Sequence, residues 1–135
     1  METKTFLDFL PTNFRHEKSF FIQHNLTDFK TISNLSDSDI NEIQRKSKLC
    51  TLNNLKKIRA IAIFKKEISI SPPEAYLLLH CGIGSIKSLS LSTPSELVGK
   101  IGRLERILKV KTETNITFVL LTKWIERAKQ FCKSI

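Results

Sequence analysis

His80–Leu89 reads HCGIGSIKSL and holds two of the chain's four glycines, Gly82 and Gly84, with Ile83 between them. Glycine accepts positive φ and puts no Cβ in the way, so this spacing predicts a sharp corner. On its N-terminal side stands EAYLLL (Glu74–Leu79), and beyond it SIKSLSLSTPSEL (Ser85–Leu97). Both flanks have helical character, so the corner joins two helices. It either only turns the chain or also grips an anion with its backbone amides.

Working outward, the pattern is helical nearly throughout. SDSDINEIQRKSK (Ser36–Lys48) places Ser36 three residues before Asp39, the spacing of a side-chain cap with a carboxylate at the positive helix end. TPSELVGKIGRLERIL (Thr93–Leu108) offers Thr93 as cap, Pro94 at the first helical position and Glu96 to complete a capping box. Leu97, Ile101, Leu104 and Leu108 then recur at helical spacing. CTLNNLKKIRAIAIFKKE (Cys50–Glu67) predicts a stripe of Leu52, Leu55, Ile58, Ile61 or Ala62, and Lys65, with Lys56, Lys57 and Arg59 opposite. In TFVLLTKWIERAKQFC (Thr117–Cys132) the stripe is Leu120, Leu121, Trp124, Ile125, Ala128 and Cys132. Only ISIS (Ile68–Ser71) alternates with period two, and it is too short to build a sheet.

A weak internal repeat links NLTDFKTISNLSDSDI (Asn25–Ile40) to GIGSIKSLSLSTPSEL (Gly82–Leu97) at an offset of 57 residues. Leu26 matches Ile83, Phe29 matches Ile86, Ile32 matches Leu89, Ser36 matches Thr93, and Ile40 matches Leu97. A third unit, ISISPPEAYLLL (Ile68–Leu79), lies between them, with Ser69 and Ser71 where the later corner has glycines.

The pattern apolar–Gly–apolar–Gly between short helices is the core of a helix-hairpin-helix. Its amides, together with those of the next helix start, point at one anion, and a phosphate fits without any base contact. Gly82, Gly84, Ser85 and Lys87 are the candidate anion turn. Lys65, Lys66, Lys100, Arg103 and Arg106 are candidates for longer-range attraction, and Arg103 and Arg106 are i, i+3 neighbours.

Charge supports an acidic partner. The chain's 135 residues include 22 basic and 13 acidic ones, a formal net charge of +9. Residues 1–50 balance seven against seven, so the entire excess lies in residues 51–135. Apolar residues make up 41%, nine of them Phe, enough for a packed core. Cys50, Cys81 and Cys132 have no metal or disulfide spacing and predict reduced thiols. His16, His24 and His80 likewise predict no metal site, and His80 reads as a helix-end residue. No nucleophile has an orienting base, and no nucleotide-binding loop follows a strand. The expectation is a non-catalytic protein without cofactor, metal or small-molecule substrate. The N-terminus carries Glu2 and Asp8 and does not read as a signal peptide. The most apolar stretch, ITFVLL (Ile116–Leu121), is too short to span a bilayer, and a cytoplasmic location is expected.

Most aromatic residues fall on apolar faces and predict core rather than base-stacking platforms. Trp124 in particular reads as core. FLDFLPTNF (Phe6–Phe14) forms a leading arm expected to pack across the domain.

The order of pieces resembles a bacterial domain-of-unknown-function family built from tandem helix-hairpin-helix-like units, within the SAM-like helical class. LKKIRAI (Leu55–Ile61) stands at that family's early helix. ISISPPEAYLLL matches its hairpin and next helix through Pro72, Ala75, Tyr76, Leu78 and Leu79. HCGIGSIKSLSLSTPSEL (His80–Leu97) matches its turn and Pro-capped helix, and KWIERAKQF (Lys123–Phe131) matches its closing helix through Trp124, Ile125, Ala128 and Lys129. The resemblance covers about residues 15–133. It implies the fold, and nucleic-acid binding only by analogy with related units. Ser69 and Ser71 depart from its glycines.

The expected fold is therefore all-α, with about eight short helices in one compact domain. An aromatic arm occupies 1–14. A single helical domain follows at 15–135, with a degenerate unit at 15–66 and second and third units at 67–135. The expected function is sequence-independent binding of DNA or RNA backbone. The alternative is a protein–protein adaptor or assembly factor that uses the helical units as scaffold and meets an acidic protein partner.

Overall fold

Local chain chemistry accounts for most of the helix boundaries. The computed structural model describes residues 6–108 and 116–134, and it is all-α, with no strand among the described residues. Residues 1–5 of the leading arm and the side chain of Phe6 lie outside the described residues. The chain divides into two compact units, Met1–Ile63 and Phe64–Ile135.

In the first unit, two short 3-10 turns, Phe6–Phe9 and Thr12–Phe14, lead into α1 (Arg15–Gln23). Leu7 and Phe14 are fully buried, so the arm is packed. Behind α1 the chain turns at Asn25, whose φ is 57°. The amide of Leu26 donates back to the carbonyl of Phe21 at 2.8 Å, which closes a left-handed helix C-cap. Asp28 caps the short α2 (Phe29–Ser33) by accepting from the Lys30 amide at 3.2 Å. Ser36 caps α3 (Asp37–Lys46) as expected, its hydroxyl accepting from the Asp39 amide at 3.0 Å, and the Asp39 carboxylate also accepts from the Ser36 amide at 2.9 Å, which closes a reciprocal capping box. Ile40 and Ile43 are its buried residues.

α4 (Leu52–Ile68) opens on a buried carboxylate. Glu17, only 1% exposed, accepts from the Thr51 amide at 2.8 Å and from the Asn54 side-chain amide at 3.2 Å. A negative charge at this helix start satisfies donors the helix itself leaves unpaired. Leu55, Ile58, Ile61 and Ala62 are buried as the stripe predicts.

The second unit begins inside α4, which ends at a second left-handed residue, Ser69, with φ 57°. Arg127 caps that end by donating to the Ile68 carbonyl at 3.2 Å. α5 (Pro72–His80) starts on two prolines, which tolerate a helix start because no amide bond is lost there. It ends at the Gly82 corner and is followed by α6 (Ile86–Ser90), α7 (Pro94–Leu108) and α8 (Phe118–Ser134). α6 and α7 pack on α8, and α5 packs on α7. Leu97, Ile101, Leu121, Trp124, Ile125 and Ala128 are all buried, each large aliphatic contributing about 1.5–3 kcal/mol. Phe118 departs from the expected core and is 53% exposed.

The internal repeat is carried by the helix boundaries themselves. α1 ends at Gln23 and α5 at His80; α2 spans Phe29–Ser33 and α6 Ile86–Ser90; α3 opens at Asp37 and α7 at Pro94. Each pair is separated by 57 residues. Both halves share a helix, a left-handed corner, a five-residue helix and a longer helix.

Candidate functional site

Gly82 and Gly84 sit at an exposed corner, and Ile83 between them is buried. Gly82 has φ +87°, a conformation that L side chains rarely adopt, and nothing stands within 4 Å of where its Cβ would be. Glycine is needed there for the backbone, not for space.

The amides divide into two sets. Gly82 donates to Leu79 at 3.0 Å, and Ile83 donates to Leu78 at 2.9 Å, the same helix-end closure as at Leu26. Ser85 and Ser88 form a reciprocal capping box: the Ser85 amide donates to the Ser88 hydroxyl at 3.2 Å, and the Ser88 amide to the Ser85 hydroxyl at 3.1 Å. Those donors serve the fold. The amides of Gly84, Ile86 and Lys87 make no hydrogen bond among the described residues, and Gly84 and Lys87 are exposed. Of the expected set, Gly84 and Lys87 keep open amides, whereas those of Gly82 and Ser85 are engaged, and Ile86 adds an open amide that the set does not include. Gly82 shapes the turn and Ser85 caps α6.

Beside the corner lies an open hollow of about 320 Å³, lined by His80, Cys81, Lys100, Arg103, Leu104 and Ile107. Its α7 residues follow the i, i+3, i+4, i+7 spacing of one helical stripe. Lys87, Lys100, Arg103 and Arg106 are all exposed, and none forms an ion pair among the described residues. Lys100 and Arg103 face the hollow together, whereas Arg106 stands outside its lining. Lys65 and Lys66 lie ahead of the Ser69 corner and do not line it; Lys66 also contacts Glu67 at 3.6 Å. Burial pushes the Cys81 thiol up from its usual range, and the neighbouring charge of Lys100 pulls the other way. His80 presents its ring edge-on to Tyr76, with centroids 4.6 Å apart.

The first unit carries an equivalent hollow of mixed charge. It measures about 290 Å³ and is lined by Phe20, His24, Leu26, Leu35, Asp39, Glu42, Ile43 and Lys46. At the offset of 57, His24 stands for Cys81, Ile43 for Lys100 and Lys46 for Arg103. One lysine there shares the lining with two carboxylates, Asp39 and Glu42, where the second hollow has two cations and no carboxylate.

His80, read from sequence as a helix-end residue, is the last residue of α5, and it and Cys81 also line the hollow. Their place became visible only through the packing of α5 on α7. Arg127 and Glu17, whose roles are structural, carry no sequence signal either, because their partners are 59 and 34 residues away.

Fold and corner together define an all-helical domain with two matching halves. The chain belongs to the family of domains of unknown function designated DUF4332, matched over residues 11–131. No curated protein and no solved structure matches the chain.

Proposed function

We propose that the protein is a non-catalytic binder of nucleic-acid backbone, and that its corners are helix-hairpin-helix-like. The single observation that carries this reading is the exposed Gly84 corner, with unengaged amides at Gly84, Ile86 and Lys87, in a half of the chain that also exposes the unpaired cations Lys87, Lys100 and Arg103. A phosphate oxygen accepts from such amides while the cations supply attraction that depends on no base. Gly82 fixes the turn, Ser85 aligns α6, and Arg106, Lys65 and Lys66 add long-range field.

The experiment is fluorescence anisotropy with short DNA and RNA, single- and double-stranded, at about 50 and about 200 mM salt. Binding that weakens steeply with salt, and that weakens further in Lys87→Ala, is the expected result. No binding at the lower salt removes the reading.

A second reading, a protein adaptor, draws on exposed Leu91, Phe118 and Val119, which are 77%, 53% and 63% accessible. In that case an acidic, partly apolar protein face meets the same basic half.

A further inference from the structure

We propose further that the hollow beside the corner receives one unpaired base, so that the protein prefers single-stranded over double-stranded nucleic acid. This rests on the backbone-binding reading above and adds to it a choice of strand state.

Three observations lead there. Along α7 the hollow runs from charge to hydrocarbon: Lys100 and Arg103 are followed by Leu104 and Ile107 on the same stripe. A site for phosphate alone has no use for the aliphatic end. Ile107 is 72% exposed and leaves apolar surface to be covered. A base has a flat apolar face to lay on that surface, and the guanidinium of Arg103 stacks on such faces as well as pairing with phosphate. The volume, about 320 Å³, falls at the small end of ligand pockets.

A duplex cannot use this wall. Its bases are stacked and paired, and only phosphates reach a protein surface without entering a groove. A single strand can lay a phosphate against Lys100 and Arg103 and turn the adjoining base onto Leu104 and Ile107.

The equivalent hollow in the first unit is the internal contrast. It has Asp39 and Glu42 in its lining, and Ile43 where the second has Lys100. Its carboxylates repel a strand, so the second half alone is expected to take a base.

The test compares four probes at matched salt: a short oligothymidine, the same strand with abasic residues, a duplex of equal length, and a polyglutamate peptide. Oligothymidine is expected to bind more tightly than duplex or abasic strand by about tenfold or more, the scale of one stacked base. Ile107→Ser is expected to bring oligothymidine down toward the abasic strand. Because Ile107 is exposed, circular dichroism should show an unchanged fold. Oligothymidine is also expected to shield Cys81 from N-ethylmaleimide, read by peptide mass mapping, where the abasic strand shields it less. Equal affinity for oligothymidine, abasic strand and duplex overturns the base site while leaving backbone binding standing. Polyglutamate binding as tightly as oligothymidine overturns it in favour of an acidic polypeptide. Absence of all nucleic-acid binding overturns both proposals together.

Discussion

Asn25 and Gly82, 57 residues apart, occupy the same left-handed position behind their helices, with φ of 57° and 87°. Each is followed by an apolar residue, Leu26 or Ile83, whose amide reaches five residues back. Ser69, with φ 57°, holds the comparable place between them, although its following amide, from Ile70, reaches back to Phe64. The three corners are thus defined by backbone demand rather than by glycine itself.

That demand predicts opposite responses at two positions. Ser69→Gly relieves a left-handed L residue and should stabilise the protein by up to about 1 kcal/mol. Gly82→Ala imposes the same strain, despite the open space at its Cβ, and should destabilise by about 1 kcal/mol. Thermal melts of the two variants should move in opposite directions from the wild type.

Glu17 is buried with both carboxylate oxygens engaged at the start of α4. Glu17→Ala leaves the Thr51 amide without its acceptor and the Asn54 side chain with only the Asn13 carbonyl, and should cost about 1–3 kcal/mol in urea unfolding. Glu17→Gln keeps one acceptor and should cost less.

Arg59 donates to Asp37 at 2.8 Å and to the Leu35 carbonyl at 3.1 Å. This hydrogen bond, and then the charge of Arg59, hold the Asp37 carboxyl below its ordinary value of 3.8. A carboxyl that ionises more readily folded than unfolded stabilises above its unfolded pKa, and that support is lost as pH falls through the folded one. The stability difference between wild type and Asp37→Asn should therefore be full at neutral pH and vanish on acidification below about pH 4.

Cys81 is a reporter for the hollow. Burial raises its thiol, so alkylation should be slower than for a free cysteine at neutral pH and should continue to accelerate through the alkaline range. Lys100 favours the thiolate, so Lys100→Ala should slow Cys81 alkylation at neutral pH. A faster rate in that variant would place the lysine's charge elsewhere.

What was legible in the sequence was what is local. The Ser36 cap on Asp39 and Pro94 at the start of α7 depend on residues a few positions apart, the 57-residue offset is such local patterns repeated, and the helices fall there. Ser69 read as a lost glycine, yet its backbone takes the left-handed turn, because a polar residue can occupy that region at modest cost. The Ser85–Ser88 pairing was also local, and its three-residue spacing could have shown that the Ser85 amide was taken. What was not legible depends on distant contacts. Lys100 and Arg103 meet His80 and Cys81 only because α5 packs on α7, and charge counts cannot choose Arg103 over Arg106 for the hollow.

The most direct measurement of the central claim is the salt dependence of oligonucleotide binding in wild type and in Lys100→Ala/Arg103→Ala. The slope of log affinity against log salt should be steep in the wild type and shallower in the double variant by about 0.7 per lost contact on a single strand, or about 0.9 on duplex. Identical slopes and affinities in the two proteins would contradict the account.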